Sequence, residues 1–300
     1  MKKLLIIILT LCFITGCTGR PKEAEVISSE IDHDKEHVKF DVYAEEGIST
    51  YSVMKMMAED HESTYNTGKT TEELSELIGS EEGEVFFIDY ELAKKHEKEL
   101  EIVSINAMNN LYMVHNGITF ETVRQFSDKK IYMLDRTTDR KLLETAMEHY
   151  DLDDGTDVEY LSSYREIYEK VMATEDCVAI IQQPYVSLLQ HRNENVEIVM
   201  DMLDVWKEEG NQSNIITDCI AVRRNVLENR GKELERYLEV LYGYSNFMYK
   251  DAADYMELVR KYDPDNYIDD MEKEVSSLGF AFIKGNILKE AIDLFEKDLK

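Results

Sequence analysis

Cysteine and proline are scarce in this chain, which has four cysteines and three prolines among 300 residues. No two cysteines have the Cys-x-x-Cys spacing, which excludes a zinc or redox site of that kind. So few prolines leave the expected secondary structure almost uninterrupted along the chain.

Basic residues are also in deficit. The chain has 34 Lys and Arg against 62 Asp and Glu, which gives a formal net charge of −28 at pH 7. Such a surface repels nucleic acid and anionic lipid headgroups, so neither is expected as a partner. Acidity favours solubility, but by itself it does not identify a ligand.

Motifs of catalysis and of cofactor binding are missing from the sequence. It has no G-x-S-x-G nucleophile turn, no Walker loop, no G-x-G-x-x-G and no H-E-x-x-H. Paired acidic residues occur often, but in so acidic a chain they are expected on solvated helix faces. We therefore predict that the protein is not an enzyme and has no cofactor.

The first seventeen residues, by contrast, form a recognisable pattern. Lys2 and Lys3 precede a predominantly apolar run from Leu4 to Ile14, and small residues follow before Cys17. A charged head, a short apolar middle and a small-residue end are typical of a secretory signal. The run has about eleven residues, whereas a membrane-spanning helix needs roughly 20. No later apolar run reaches the length of a membrane-spanning helix, so no later segment is expected to enter a membrane.

The end of this leader, Ile14-Thr15-Gly16-Cys17, resembles the bacterial lipobox, which usually has Leu and then Ala or Ser at its first two places. The resemblance implies a signal peptide over residues 1–16 that is cleaved, and lipid, such as palmitate, on Cys17. It also implies a protein anchored by lipid on the extracytoplasmic face of the cell membrane. The alternative is an ordinary signal peptide in which Cys17 has no role.

Residues 18–37 are polar and are predicted to form a tether, so that residues 17–37 join the lipid to the folded body. His33 and His37 lie four apart, a spacing compatible with a metal ion. No ligand-rich cluster accompanies them, so two solvated histidines are the favoured interpretation and no metal site is predicted.

The body alternates short apolar runs with longer amphipathic ones, and with 43% hydrophobic residues it can bury a sizeable core. Cys177 and Cys219 lie in apolar, strand-like runs, where they can be buried thiols or a single disulfide. Strand and helix in alternation imply a mainly parallel sheet with helices on both faces. We predict strands over 38–44, 84–90, 101–106, 110–116, 129–135, 158–162, 177–184, 196–202 and 215–224, helices over 51–60, 92–100, 118–126, 139–149 and 164–173, and an almost wholly helical chain after residue 224.

Four segments and a strand carry a resemblance to a known family. They are the strand-to-helix turn at 45–50, the strand at 85–90, the strand, loop and helix at 127–153, the run at 173–189 that ends near Gln183-Pro184, and residues 205–241 with their long helices. Together they resemble the substrate-binding proteins of ABC importers. The nearest group is the NMT1/THI5-like branch, which includes binders of nitrate, alkanesulfonates and thiamine-pyrimidine precursors. The chain departs from that pattern at Gly47, which lacks a following Pro, at 135–138, where a turn of small residues is usual, and at Gln183, where Glu is common.

The resemblance implies a two-lobed α/β fold of the type II periplasmic-binding-protein kind, with mixed, mainly parallel sheets and helices on both faces. One lobe is expected to comprise residues 38–110 and 218–300, and the other residues 111–217. The chain would then cross between lobes, because the body contains no long flexible linker.

Ligands of open α/β sheets bind beyond the carboxyl ends of the strands. Arg136 is suited to a carboxylate or sulfonate, whereas Asp135 favours a cation or a hydrogen-bond donor. Helix capping is the alternative for Ser49, Thr50 and Thr138, as it is for Asp139. The candidates for ligand binding are Gly47, Ile48, Ser49, Thr50, Asp89, Tyr90, Asn106, Asp135, Arg136, Thr137, Thr138, Gln183, Tyr185 and Asp218, with Gln182 beside them.

Aromatic rings, amides, hydroxyls and mixed charge suit a small polar, heterocyclic or zwitterionic molecule better than an inorganic anion. The sequence therefore predicts a solute-binding lipoprotein that captures such a ligand between two lobes and delivers it to an ABC permease. The alternative is a surface lipoprotein that senses or binds another protein and has no role in transport.

The lipobox resemblance generates a direct test. Replacing Cys17→Ser should release or mislocalise the protein without unfolding it, because the substitution removes the lipid site and leaves the body unchanged. Membrane fractionation, with circular dichroism of the released protein, measures both effects. If the variant stays with the membrane as the wild type does, Cys17 is not the anchor.

Overall fold

The computed structural model describes residues 38–117, 129–151, 156–269 and 271–300, all within one compact unit. The predicted signal peptide, Cys17, the tether and the helix over 118–126 lie outside the described residues. No helix in the described ranges combines the length and the apolar composition needed to cross a membrane.

The first sheet has the strand order β11-β4-β10-β3-β1-β2. Every residue of β3 and of β10 is buried, because helices cover both faces of the sheet at its centre. We call this sheet and its helices lobe 1. Its strands are β1 (Asp41–Glu45), β2 (Thr64–Lys69), β3 (Val85–Asp89), β4 (Leu100–Met108), β10 (Ile216–Arg223) and β11 (Phe280–Ile283).

The second sheet has the order β7-β6-β8-β5-β9, and β8 is buried throughout at its centre. We call this sheet and its helices lobe 2. Its strands are β5 (Leu111–Asn116), β6 (Lys130–Leu134), β7 (Asp157–Leu161), β8 (Cys177–Gln182) and β9 (Val196–Asp201). The chain passes from lobe 1 to lobe 2 between β4 and β5, and it returns through β10.

Helices connect most of these strands. The longest, α8, has a non-helical residue at Arg230, where two helical segments meet. The α-helices are α1 (Ile48–Glu59), α2 (Thr71–Gly79), α3 (Tyr90–Lys95), α4 (Thr137–His149), α5 (Tyr164–Ala173), α6 (Tyr185–Arg192), α7 (Met202–Glu208), α8 (Arg224–Lys250), α9 (Ala252–Tyr262) and α10 (Asn286–Asp298), and 3-10 turns lie at Pro264–Asn266 and Met271–Leu278.

The expected two-lobed α/β architecture with mixed sheets is confirmed. Antiparallel pairs are more frequent than the sequence suggested, since β10 runs antiparallel to both β3 and β4, and β5 to both β8 and β9. The parallel pairs are those that β1 makes with β2 and β3, and β6 with β7 and β8. β5 and β10, the first strands after the two crossings between the lobes, therefore each run antiparallel to both of their neighbours.

Two parts of the secondary-structure prediction were wrong. The C-terminal region contains a strand, β11, because Gly279 and Gly285 adopt φ of +72° and +70° and interrupt the helices. The predicted elements also lacked β2, α2, α6 and α7. The β2 segment, TYNTGK, lies at the sheet edge and is only partly buried. A strand in that position does not need a run of apolar residues, and this one has no such run to mark it as a strand.

The two body cysteines are free and buried, one in β8 and one in β10. Burial raises the pKa of the Cys177 thiol to about 11 and that of Cys219 above its usual range. Of the two alternatives, buried thiols are the one that the structure shows.

Arg223, the last residue of β10, makes several buried hydrogen bonds inside lobe 1. Its guanidinium donates hydrogen bonds to the carbonyl oxygens of Ile78 (3.0 Å), Leu77 (3.0 Å) and Gly83 (2.8 Å), and also to that of Glu82. These oxygens belong to the end of α2 and to the turn before β3. One buried side chain therefore satisfies the carbonyl groups that a helix end leaves free.

We expect Arg223→Met to lower the free energy of unfolding by about 3 kcal/mol or more, because several buried carbonyl groups lose their donors. Arg224→Met is the matched control, since Arg224 is 47% exposed and pairs with Glu101 at the surface. The control should cost less than about 1 kcal/mol. Urea unfolding measures both variants, and equal losses would contradict this role of Arg223.

Candidate functional site

The candidate site lies where the ends of strands from both lobes meet. Polar side chains there enclose a small cavity of about 10 Å³. That space accommodates about one water molecule. The cavity is lined by Glu45, Glu46, Arg136, Ser163, Tyr164, Gln182 and Asp218.

An ion pair between Arg136 of lobe 2 and Asp89 of lobe 1 lies beside this cavity. Arg136 Nη1 is 2.7 Å from Asp89 Oδ2, and the two side chains are only 15% and 7% exposed. The guanidinium carbon also lies 5.0 Å from the centroid of the Tyr164 ring, within cation–π distance. Asp89 Oδ1 accepts a hydrogen bond from Leu92 N–H at 2.9 Å and so caps α3.

Glu45 ends β1 directly beside this pair. Its carboxylate accepts hydrogen bonds from the Thr71 hydroxyl and from Asp89 N–H, the second at 2.8 Å. Parallel pairing of β1 with β3 brings these two strand ends together. Glu45 and Asp89 are therefore two acids held side by side by the sheet itself.

Asp218 contributes a third carboxylate from β10. Its Oδ1 accepts a hydrogen bond from the Ser49 hydroxyl at 2.7 Å, and its Oδ2 accepts one from Gln182 Nε2 at 2.6 Å. Ser49 belongs to lobe 1 and Gln182 to lobe 2. Asp218 therefore connects the lobes through hydrogen bonds, as Asp89 does through an ion pair.

A reciprocal contact places a carboxylate of lobe 1 at the start of α4. Glu91 Oε2 accepts from Thr137 N–H at 2.9 Å, and its Oε1 accepts from the N–H and the hydroxyl of Thr138, both at 2.6 Å. The first N–H groups of a helix attract anions. Here a side chain from the other lobe fills that anion site.

Burial raises the pKa of the carboxyl groups in this cluster. The pKa values of Glu45, Asp89 and Asp218 all lie above their usual range because of burial, and Arg136 opposes the rise. Burial also raises the pKa of Asp139 to about 7, again against the opposing charge of Arg136. Several acids thus share one nearby buried guanidinium.

Some polar atoms near the cavity have no hydrogen-bond partner. These are the hydroxyl groups of Tyr164 and Tyr185 and the Oε1 atom of Glu46, whose other oxygen accepts from Arg165 Nε at 2.6 Å. Tyr164 is 7% exposed, and both Tyr164 and Glu46 line the cavity. Such atoms are available to a bound molecule.

Four of the predicted side chains, those of Ser49, Thr50, Thr137 and Thr138, do not act as helix caps. Ser49 donates to Asp218, and the Thr50 hydroxyl donates to the Glu45 carbonyl oxygen at 2.7 Å. The cap position of α1 is Gly47, which makes no side-chain cap. Thr137 and Thr138 begin α4, which Glu91 caps from outside the helix instead of Thr138 or Asp139.

The predicted residues Gly47 and Ile48 are buried in the adjacent wall. A Cβ atom at Gly47 would lie 3.2 Å from the Tyr185 ring, and Gly47 has φ of +80°. Glycine therefore allows lobe 1 to approach Tyr185 of lobe 2. Tyr185 itself is buried, with its ring 6.1 Å from that of Tyr168.

Other predicted candidates have partners away from the cavity. The Tyr90 hydroxyl donates to Glu296 at 2.8 Å, and its ring packs against Phe295. Asn106 donates to the Ser52 hydroxyl at 3.1 Å, and Asp135 is exposed and pairs with Arg140. Gln183 donates to Ser277 at 3.0 Å and accepts from Ser187.

Several residues of the cleft were absent from the sequence-based set. Glu45, Glu46, Glu91, Tyr164 and Arg165 contact the cavity or join the lobes. The strand-end rule that selected Asp89 applies equally to Glu45, the last residue of β1. Nothing local in the sequence marks Glu91, since its partner Thr138 lies 47 positions away.

Comparison with solved structures decides the fold. An ABC transporter protein from Parabacteroides distasonis matches with a TM-score of 0.69 at 10% identity, covering 87% of this chain and 92% of that one. The chain has the fold of two-lobed periplasmic binding proteins. The alkanesulfonate-binding protein SsuA from Xanthomonas axonopodis pv. citri, bound to MOPS, gives a TM-score of 0.65 at 11% identity, covering 88% and 94%.

A third structure with this fold is the zinc-bound ligand-binding component of an ABC-type import system from Staphylococcus aureus. Its TM-score is 0.66 at 11% identity, and the match covers 86% of this chain and 91% of that one. Neither a protein-family model nor a curated protein sequence matches this chain. In the described part of this chain, no three His, Cys, Asp or Glu residues are placed to hold a metal ion.

The raised pKa of Asp139 has a consequence for stability. Its ordinary value is 3.8 and its folded value is about 7, so the folded protein binds more protons than the unfolded chain between these values. The free energy of unfolding should fall as the pH rises from about 4 to about 7, by roughly 4 kcal/mol from this group.

Asp139→Asn should reduce that pH dependence and stabilise the protein above pH 7, because the amide has no charge to bury. The exposed neighbour Asp135 provides the control variant, Asp135→Asn. Urea unfolding on both sides of the window measures the effect. Part of the slope should persist, because Asp89, Glu45 and Asp218 shift in the same direction. An unchanged slope in Asp139→Asn would contradict the prediction.

Proposed function

We propose that this protein is an extracytoplasmic solute-binding lipoprotein that captures a small polar or heterocyclic ligand between its lobes and delivers it to an ABC permease. The observation that carries the proposal is the convergence of buried polar side chains from both lobes on one cleft. Proteins with this fold close two lobes around a ligand by hinge motion.

The proposed mechanism exchanges contacts between the lobes for contacts with a ligand. With a cavity of about 10 Å³, the closed cleft has no room for more than about one water molecule, so a ligand enters only when the lobes separate. Separation would break the Arg136–Asp89 and Gln182–Asp218 contacts. A ligand that replaced these partners would let the lobes close again around it.

The polar groups of the cleft suit the binding of a polar ligand. Its hydroxyl and amide groups, those of Ser49, Thr71 and Gln182, donate to carboxylates and so fix the orientation of those carboxylates. The cleft therefore holds and orients polar groups.

Lipid on Cys17 would complete this proposal. A binding protein that left a cell with a single membrane would be lost by diffusion. An anchor with a polar tether of about twenty residues would hold the body near its permease. The proposed location is the extracytoplasmic face of the cell membrane.

A ligand screen tests the proposal on the full chain in mild detergent. Pyrimidines, amino acids, sulfonates and polyamines are added separately, and the melting temperature is recorded. A true ligand at about 1,000 times its Kd should stabilise the folded state by roughly 4 kcal/mol. Asp218→Asn should weaken that effect, because it alters the carboxylate shared by both lobes, whereas Asp204→Asn on the exposed part of α7 should not.

Two results would count against small-molecule capture. One is that no compound of the panel changes the melting temperature. The other is that the Asp218 and Asp204 variants respond equally to every compound that does. The first result would favour a surface lipoprotein that senses or binds proteins.

A further inference from the structure

The buried charges of the cleft are unequal in number. The carboxyl groups of Glu45, Asp89, Asp139 and Asp218 are each at most 7% exposed. Burial raises the pKa of each, and the positive charge of Arg136 partly lowers it again. Glu46 has its own partner in Arg165. The cleft therefore has a surplus of acidic groups, which attracts positive charge and repels anions.

Arg136 shows what kind of group fits among these acids. A carboxylate oxygen lies 2.7 Å from one edge of its planar guanidinium, and the Tyr164 ring lies 5.0 Å from its carbon. A carboxylate at the edge and an aromatic ring nearby are the two contacts that a planar organic cation uses in proteins. Arg136 thus occupies a cation site formed by both lobes.

A second observation points to a molecule with N–H donors. The buried hydroxyl of Tyr164 and the Oε1 atom of Glu46 line the same cavity and have no hydrogen-bond partner. Both oxygens can accept a hydrogen bond. A buried acceptor without a partner is costly, so a donor that reaches these atoms would bind favourably.

We propose that the cleft binds a small organic cation with N–H donors, of the guanidine, amidine or amine class, which displaces the Arg136 guanidinium from Asp89. This inference rests on the proposed function and names its ligand class. Arg136 is then an internal competitor that fills the site when the ligand is absent. The bound cation would face Asp89, Glu45 and the Tyr164 ring.

The opposite assignment is that Arg136 itself holds an anionic ligand. The acids around it weigh against that assignment, because closing the cleft would bury an added negative charge beside Asp89, Asp139 and Glu45. Glu91 also fills the N-terminus of α4, another place in the cleft where an anion would be stabilised. The two assignments predict opposite responses to ligand charge.

Three probes of similar shape separate the classes: ethylguanidinium, the neutral ethylurea and the anion ethanesulfonate, each at millimolar concentration. Thermal shift and titration calorimetry are performed on the full chain in mild detergent. We expect ethylguanidinium to raise the melting temperature of the wild type, and the other two to have no effect.

Arg136→Met tests the role of the internal competitor. The variant should bind ethylguanidinium about tenfold or more tightly than the wild type, because the competing side chain is gone. The matched control is Arg140→Met, four positions along the same segment, where an exposed guanidinium pairs with Asp135. This control should behave as the wild type does.

Other outcomes overturn the inference. If ethanesulfonate stabilises the wild type and Arg136→Met abolishes the effect, Arg136 holds an anion, and only the ligand class is wrong. If none of the three probes binds either form, the cation class is wrong, and the wider ligand panel decides separately whether the protein binds any small molecule. The preference of the wild type among the three probes decides the question even if Arg136→Met does not fold.

Discussion

The buried ion pair between Arg136 and Asp89 is the interaction on which the closed arrangement depends. Burial disfavours the charged form of Asp89, and Arg136 is the positive charge that opposes this penalty. Removing one partner of a buried pair leaves an uncompensated charge, which is far more costly than losing a surface pair. Further contacts join the lobes near this pair, among them Gln182 with Asp218, Glu91 with Thr138 and Arg165 with Glu46.

In the closed cleft, charged groups of each lobe interact with groups of the other lobe. Arg136 of lobe 2 enters the acids of lobe 1, while Glu91 of lobe 1 enters the N-terminus of α4 in lobe 2. Each lobe thereby fills the place where the other would hold a charged ligand. Under the proposed function, a ligand would have to compete with side chains at high effective concentration. Its apparent affinity would then be reduced in proportion to the small fraction of molecules in which the site is open.

The architecture was more predictable than the site. Continuous apolar runs such as VFFID identified the central strands, and the rule of strand carboxyl ends selected Asp89 and Arg136, which form an ion pair in the structure. Asp218, predicted from its place near the return of the chain between lobes, lines the cavity beside them. Tyr90 and Asn106, also in the predicted set, have partners away from the cavity, because whether a side chain faces the cleft or the core depends on packing with distant segments that the local sequence does not show. The role of Glu91 could not be predicted from the sequence, because a residue that caps a helix of the other lobe has no neighbouring sequence pattern that marks it.

The shared fold and the individual side chains determine different things. Two sheets joined by crossing strands form the two lobes, and that geometry is common to binding proteins with about 10% identity to this chain. Under the proposed function, the ligand would be chosen by the charges that face the cleft, and those charges come from single residues at or near strand ends. Closing excludes water, which strengthens each electrostatic interaction inside, attractive or repulsive. Under the proposed function, an anionic ligand would therefore be repelled by Glu45, Asp89 and Asp218 most strongly when the lobes close.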